Sequence, residues 1–262
     1  MSLNNAPVPV ELPDFVAVIS DLDGVVYRGS EPIKEAVEAF RRWHDNGIRY
    51  CFVTNNSTRS ASEFAAKLRG FGIVAEAENV VTSADTTAAL LKARWPAGAR
   101  VFVVGATSLV EAIAAAGFEI TGDAAEIVVA GLDRDFTYAK LKLAARLVLD
   151  GAALIGTNPD LLLPSEDGFE PGAGTLIGAI AAASGQQPLI IGKPEPHMIE
   201  AALQRLGTDP ARTVMIGDQI ATDIQAGQRA GLFSILVQTG VPETGARQAE
   251  PDLTLASLAA LK

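Results

Sequence analysis

A single cysteine, Cys51, stands in 262 residues, so no internal disulfide and no multi-cysteine zinc site is available. The two histidines, His44 and His197, are too few and too far apart in sequence to make a histidine-based metal site by themselves. No apolar run approaches the roughly 18 residues that a membrane-spanning helix needs. Positive charge is also short: 21 Lys and Arg stand against 31 Asp and Glu, a net charge of −10. Phosphate backbones and anionic lipid repel such a chain, which excludes nucleic acid and membrane surfaces as general partners. A metal ion or a local lysine can still reverse the field at one site and admit a small anion. Met1 to Pro7 carries neither a charged leader nor an apolar segment, so the expected location is the cytoplasm.

What the chain has in quantity is apolar material. Hydrophobic residues make up 48% and charged residues 20%, a composition that disfavours disorder and supplies a core. The length suits one large domain or two modest ones. Phe15 to Ile19 is apolar at every position, as buried parallel strands are. Pro32 to Asn46 reads as a helix, with Ile33, Val37, Phe40 and Trp43 three or four residues apart, and Gly47 ends it. Tyr50 to Val53 reads as a strand and Ser60 to Arg69 as a helix stopped by Gly70. Leu189 to Ile191, Thr213 to Ile216 and Ser234 to Val237 read as further strands, with helices at Met198 to Leu206 and Asp223 to Ala230.

The middle of the chain repeats the pattern. Arg100 to Val104, Glu126 to Ala130 and Ala153 to Ile155 read as strands; Thr107 to Ala116, Tyr138 to Leu149 and Ala173 to Ser184 read as helices. Alternation of this kind predicts an α/β fold with a doubly wound, Rossmann-like parallel sheet. Strands that end in reactive residues lie in two blocks, separated by a stretch large enough to be an inserted α/β domain. The expected division is a core of residues 1–84 and 190–262, with residues 85–189 inserted.

The strongest local signal is Asp21-Leu22-Asp23-Gly24-Val25, directly after the first strand. Two carboxylates at i and i+2 share a direction if the chain stays extended, and they leave the sheet at its carboxyl end, where ligands of open α/β sheets bind. Charges so close call for a cation, and magnesium takes oxygen ligands of this type. An EF-hand loop is excluded, because Pro32 occupies the position that would need a bidentate Glu. Val53-Thr54-Asn55-Asn56-Ser57 brings a hydroxyl and amides to the next strand end, suited either to phosphate oxygens or to an ordinary helix cap. Ile191-Gly192-Lys193-Pro194 is expected to bring a lysine to the same edge on another strand. Ile216-Gly217-Asp218 with Asp223 adds two acids. Together these residues make a workable phosphoryl-transfer site: a carboxylate nucleophile, a metal clamp and a cation.

In this order the motifs Asp21-x-Asp23-Gly24, Thr54, Lys193 and Gly217-Asp218-x4-Asp223 resemble those of the haloacid dehalogenase superfamily of aspartate-nucleophile phosphatases. Val53 to Ser57, Gly156-Thr157-Asn158-Pro159-Asp160, Pro171-Gly172-Ala173-Gly174-Thr175 and Gly192-Lys193-Pro194 are similar to its NagD-like branch. The resemblance runs from about residue 14 onward, and that branch carries a large α/β cap between its second and third motifs. It implies a Mg2+-dependent phosphomonoesterase for a small phosphorylated metabolite, such as a sugar phosphate or nucleoside monophosphate, with p-nitrophenyl phosphate as an artificial substrate. It further implies Asp21 as nucleophile, Asp23 as acid and base, and Lys193 as the balancing charge. Thr54, Asn55 and Asn56 would hold substrate. Metal would be held by Asp21, Asp218 and the Asp23 carbonyl, with Asp223 in an outer shell. Dimers through the cap are a family expectation.

Other features carry less. Asp133 or Arg134, in Gly131 to Phe136, is expected to reach a leaving group from the cap, unless the segment is a turn with a local charge pair. Gly172-x-Gly174-x-x-x-Gly178 imitates a dinucleotide fingerprint, but Asp167 to Pro171 reads as a loop, so no strand is expected to run into it. Thr107 and Ser108 read as helix caps, His197 as structural, and Cys51 as inert in a buried strand. Competing readings are a phosphomutase, a receiver-type phospho-acceptor module and a non-catalytic phospho-ligand sensor. The inserted block, the length of the chain and the intact pair Asp21 and Asp23 weigh against these in turn.

Overall fold

The structure, a computed structural model, describes residues 12–165, 168–240 and 249–261. Met1 to Pro7 and Asp167, on which two of the sequence readings fall, lie outside these. In chain order the elements begin with β1 (Ala17–Ser20), the short hairpin β2 (Tyr27–Arg28) and β3 (Glu31–Pro32), α1 (Lys34–Asp45), β4 (Arg49–Thr54), α2 (Ala61–Gly70) and β5 (Val80–Thr82). There follow α3 (Ser83–Arg94), β6 (Arg100–Val104), α4 (Thr107–Ala115), β7 (Glu119–Ile120), β8 (Ile127–Ala130), α5 (Tyr138–Leu149) and β9 (Ala153–Gly156). Next come β10 (Leu162–Ser165), β11 (Gly168–Pro171), α6 (Ala173–Ser184) and β12 (Leu189–Ile190). The chain then forms α7 (His197–Leu206), β13 (Thr213–Gly217), a π turn at Ile220–Ile224 running into α8 (Gln225–Arg229), β14 (Phe233–Val237) and β15 (Leu253–Leu255).

Two parallel sheets result. The first has the order β15-β14-β13-β1-β4-β5 and the second β12-β9-β8-β6-β7; β10 and β11 form a separate antiparallel hairpin. All four residues of β1 are buried, and their alternation is resolved by face. Val18 joins the cluster holding Phe40 and Trp43 of α1, while Ala17 and Ile19 join the one holding Met198, Ile199 and Ala202 of α7. A strand covered on both faces therefore reads as a continuous apolar run. The second sheet is covered in the same way, by α3 and α4 on one face and α5 and α6 on the other.

Register fixes the edge that matters. Ser20 lies level with Ile216 on β13 and with Phe52 on β4, and the Asp21 N–H donates to the Ile216 carbonyl at 2.9 Å. Asp21, Gly217-Asp218 and Val53-Thr54 therefore leave the first sheet side by side at its carboxyl end.

Three sequence expectations change. Leu189 to Ile190 is not a strand of the first sheet. It pairs with β9 in the second, with Leu189 opposite Ile155 and Ile190 opposite Gly156, so the expected boundary at 189/190 falls within β12. A strand does run into the Gly172 motif, since β11 pairs antiparallel with β10. The hairpin is no βαβ unit, and the glycines serve close packing: a Cβ on Gly172 or Gly174 would stand 2.2 Å from the carbonyl oxygen of Asp160 or Pro159. Finally, α4 is capped by Ala106 without a side-chain bond; the Ser108 hydroxyl instead donates to the Ser57 carbonyl at 2.7 Å, tying the second sheet's layer to the loop after β4.

Candidate active site

Asp21 lies at the middle of the first sheet's carboxyl edge, 9% exposed. Its Oδ1 accepts from Lys193 Nζ at 2.7 Å. The same ammonium donates to Asp223 Oδ1 at 2.6 Å and to the Val53 carbonyl at 3.4 Å, which uses all three of its hydrogens. Asp223 is fully engaged, because its Oδ2 accepts from the N–H groups of Asp218 and Gln219 at 3.2 and 3.1 Å. The π turn delivers Asp223 to this place, and Gly217 makes room for it: a Cβ there would meet the Asp223 Cβ at 2.0 Å.

Asp218 has a different environment. It is buried, and its Oδ1 has no hydrogen-bond partner among the described residues. Gly24, at φ +78°, and Gly240 press against it; a Cβ on either would fall 2.3 or 1.7 Å from Asp218 Oδ2. Carboxylate oxygens of Asp21, Asp218 and Asp223 lie within 4.8 Å of one another. One lysine faces three acids, leaving two formal negative charges, the charge of a divalent cation. Burial pushes the Asp218 carboxyl up to about 9, with Asp223 and Asp21 adding to the rise and Lys193 opposing it. Burial likewise pushes Asp21 up to about 7, against Lys193. Burial alone would lower the Lys193 pKa, but the charges of Asp21 and Asp223 outweigh it and hold the ammonium above its ordinary value. A buried carboxylate oxygen without a partner among the described residues, in a net-negative pocket whose candidate ligand atoms are all oxygen, fits Mg2+.

Asp23 opens to solvent one residue beyond Leu22. Surrounding protein still strips enough water to raise its carboxyl, against the pull of Lys67, the Gly29 N–H and Arg59. Lys67 is fixed on α2 with its ammonium 3.3 Å from the centre of the Tyr27 ring and donating to the Gly29 carbonyl at 2.7 Å. The start of α2 is set by a capping box between Ser60 and Glu63, worth about 1 kcal/mol. These contacts hold the loop that carries Asp23.

The remaining expected site residues divide. Thr54 is buried at the end of β4, its oxygen accepting from the Asn56 N–H at 3.2 Å. Asn55 does not offer its side-chain amide to the pocket. Its Oδ1 accepts from the Lys193 N–H at 2.8 Å, while Nδ2 donates to the Lys193 carbonyl at 3.0 Å and to the Asp160 carboxylate at 3.2 Å. The Asn56 side chain is exposed, its Oδ1 taken by the N–H and hydroxyl of Thr58 at 2.8 Å. Asp133 is 6% exposed and bound to Lys140 Nζ at 2.7 Å and to the Asp135 N–H at 2.9 Å. Arg134 pairs with Glu170. Asp133 and Arg134 are thus each engaged in an ion pair, with Lys140 and Glu170. Cys51 is buried, its thiol pushed up to about 12 by desolvation, as expected of an inert cysteine. Sequence reasoning assigned no role to Asp160 or to the glycines around Asp218; Gly156 to Asp160 was the signal for the first.

Comparison with known proteins gives the family. Residues 18–119 match the haloacid dehalogenase-like hydrolases and residues 190–261 a HAD-hydrolase-like family. The chain is 43% identical to the 5'-nucleotidase YutF of Bacillus subtilis over 87% of its length and 88% of the relative's. It is 41% identical to an acid sugar phosphatase of Staphylococcus saprophyticus, with the same coverage. Among solved structures, a double mutant of a thermostable NPPase from Geobacillus stearothermophilus superposes with TM-score 0.90 at 38% identity, covering 96% of this chain and 99% of the other. NagD from E. coli K-12 gives TM-score 0.86 at 32% identity, covering 95% and 98%. A glycerol phosphate phosphatase from Mycobacterium tuberculosis in complex with magnesium gives 0.81 at 36%, covering 87% and 69%. The chain belongs to the haloacid dehalogenase-like hydrolases and is a phosphatase of their NagD-like branch.

Proposed function

We propose that the protein is a Mg2+-dependent phosphomonoesterase acting on a small phosphorylated metabolite, of the sugar-phosphate or nucleotide type, through an aspartyl phosphate on Asp21. The observation that carries this reading is the pairing of Asp21 with a buried lysine beside an acid whose oxygen lacks a partner among the described residues. The names of the relatives, a 5'-nucleotidase and an acid sugar phosphatase, support the substrate class.

An Asp21 carboxylate oxygen attacks phosphorus as the bond to the leaving oxygen breaks, and Asp23 gives that oxygen its proton. The raised Asp23 carboxyl suits a group that must arrive protonated. Asp23, now ionised, takes a proton from the water that attacks the phosphoryl group, and phosphate leaves with the Asp21 carboxylate restored. Lys193 holds Asp21 in place and offsets the charge on the transferring oxygens. Thr54 Oγ1 accepts from a backbone N–H and so keeps its own hydrogen for a phosphoryl oxygen.

The carboxylates of Asp21 and Asp218, with the Asp23 carbonyl, would hold Mg2+. When bound, the ion would neutralise the surplus charge and polarise the phosphoryl group. Both Asp223 oxygens are already engaged, so Asp223 acts from the outer shell by orienting Lys193 and the Asp218 backbone. We assign selection of the leaving group to the layer built on the second sheet, residues 85–189 in the sequence reading.

The test is phosphate release from p-nitrophenyl phosphate, sugar phosphates, nucleoside monophosphates and pyridoxal phosphate, with and without Mg2+, using Asp21→Asn as control. Metal-dependent release abolished in the variant supports the reading. Release by the variant at the wild-type rate contradicts it.

A further inference from the structure

Lys193 must place its ammonium between Asp21 and Asp223, yet its backbone belongs to no strand of the first sheet. It follows β12, and the ladder with β9 continues through Ile191 N–H to the Gly156 carbonyl at 3.0 Å and Gly192 N–H to the Thr157 carbonyl at 2.8 Å. At Lys193 the partner changes. The Asn55 side chain takes over, accepting from the Lys193 N–H and donating to its carbonyl, as a neighbouring strand would. The approach is close: a Cβ on Gly192 would lie 2.5 Å from Asn55 Oδ1.

That amide is held from the other side by the loop after β9. Asn158 Nδ2 donates to the main-chain carbonyl of Asn55 at 2.8 Å, fixing its backbone, and the Asp160 N–H donates to Asn158 Oδ1 at 3.2 Å. Asp160 itself receives the second Asn55 Nδ2 hydrogen on both carboxylate oxygens. A carboxylate accepts and cannot donate, so it stabilises one orientation of the amide, and a bond to a charged acceptor is stronger than a neutral one. Asp160 makes no ion pair among the described residues, and a negative charge beside a phosphate site has no evident benefit to binding.

We propose that Asp160 is a positioning residue for Lys193, acting through the Asn55 amide, so that the second sheet's loop sets where the catalytic ammonium stands. The inference rests on the phosphatase reading above and adds two residues to it. A charge-stabilising group displaced by a fraction of an ångström loses much of its effect in the transition state, while ground-state binding changes little.

The experiment compares wild type with Asp160→Ala, Asp160→Asn, Asn55→Ala and the double variant Asp160→Ala/Asn55→Ala, each assayed with p-nitrophenyl phosphate, a sugar phosphate and a nucleoside monophosphate. Asp160→Ala should lower kcat roughly tenfold to hundredfold by the same factor for every ester, with KM within about threefold. Asp160→Asn should recover most of the loss, because its amide oxygen can still accept. The double variant should be no slower than Asn55→Ala. Hydrogen exchange at the Lys193 amide, which needs no substrate, should speed up about tenfold in Asp160→Ala. Wild-type kcat in Asp160→Ala, losses that multiply in the double variant, a loss that varies with the leaving group, or unchanged Lys193 exchange would each overturn the proposal. Asp21→Asn runs alongside: if it turns over normally the nucleophile assignment fails, while the exchange measurement still decides the positioning role.

Discussion

Lys193 and Asp223 form a buried ion pair at 2.6 Å, and the second oxygen of Asp223 closes on the backbone N–H groups of Asp218 and Gln219. One acid thus links the lysine that holds Asp21 to the segment that carries Asp218. The neighbouring acid, Asp218, has an oxygen with no partner among the described residues. This difference separates the roles of the two carboxylates and leads to opposite outcomes on mutation.

Asp218→Asn should raise the melting temperature of the metal-free protein, because it replaces a carboxyl that must take up a proton on folding, or else bury a charge that desolvation and two neighbouring acids disfavour. It should also abolish the stabilisation that Mg2+ gives. Asp223→Asn should do the reverse on the first count, lowering metal-free stability by about 2 kcal/mol through loss of the charged acceptor for Lys193. Thermal melts with and without Mg2+ check both; the same direction of shift in the two variants would contradict the division of roles.

Lys193→Ala leaves Asp21 and Asp223 buried without their cation. Breaking a buried pair from one side costs about 3–5 kcal/mol, so the variant should melt well below wild type and lose nearly all turnover. A steady-state assay below its melting point separates the two effects. Wild-type turnover there would remove Lys193 from the mechanism.

The pH dependence of metal-free stability follows chiefly from the two most strongly raised carboxyls, Asp21 at about 7 and Asp218 at about 9, against about 3.8 in the unfolded chain, with Asp23 and Asp160 raised in the same direction. Between these values the folded state binds more protons than the unfolded one, so this contribution is fully present below about pH 4 and lost as pH rises towards 9. Mg2+ competes with those protons and should stabilise more at pH 8 than at pH 6. Melting curves over this range provide the check; a metal response that is larger at pH 6 would contradict the assignment.

Gly24→Ala tests the glycine cradle. The left-handed backbone at φ +78° costs about 1–2 kcal/mol for any residue with a Cβ. The added carbon would also displace the Asp218 carboxylate, which lies 2.3 Å from its position. Activity should fall roughly tenfold or more, with a weaker response to Mg2+. Full activity with normal metal dependence would show that Asp218 can move without consequence.

Much of the site could be read locally. Asp21 and Asp218 directly follow apolar runs that become adjacent central strands, and Thr54 ends a third. Lys193 could be named as a participant but not placed, because three residues, Leu189 to Ile191, do not reveal which sheet they join; the pairing partner lies more than thirty residues away. The role of Asn55 was equally hidden, since its partners Asp160 and Lys193 are 105 and 138 residues distant. Helix α3 is hard to read from the sequence because half of its buried positions, Ser83, Thr86 and Thr87, carry hydroxyls. Thr86 and Thr87 bond back to the carbonyls of Thr82 and Ser83, and the apolar stripe beside them, Ala84, Ala88 and Leu91, is mostly small side chains. Strand β5 was missed because three residues give periodicity too little length.

The central claim is the phosphorylated aspartate, and trapping it is the most direct measurement. Wild-type protein mixed with p-nitrophenyl phosphate and Mg2+, quenched in acid within milliseconds and digested, should yield a peptide containing Asp21 heavier by one phosphoryl group, with the label absent in Asp21→Asn. Turnover without a phosphorylated Asp21 peptide at any quench time, or a label on another residue, would contradict the account.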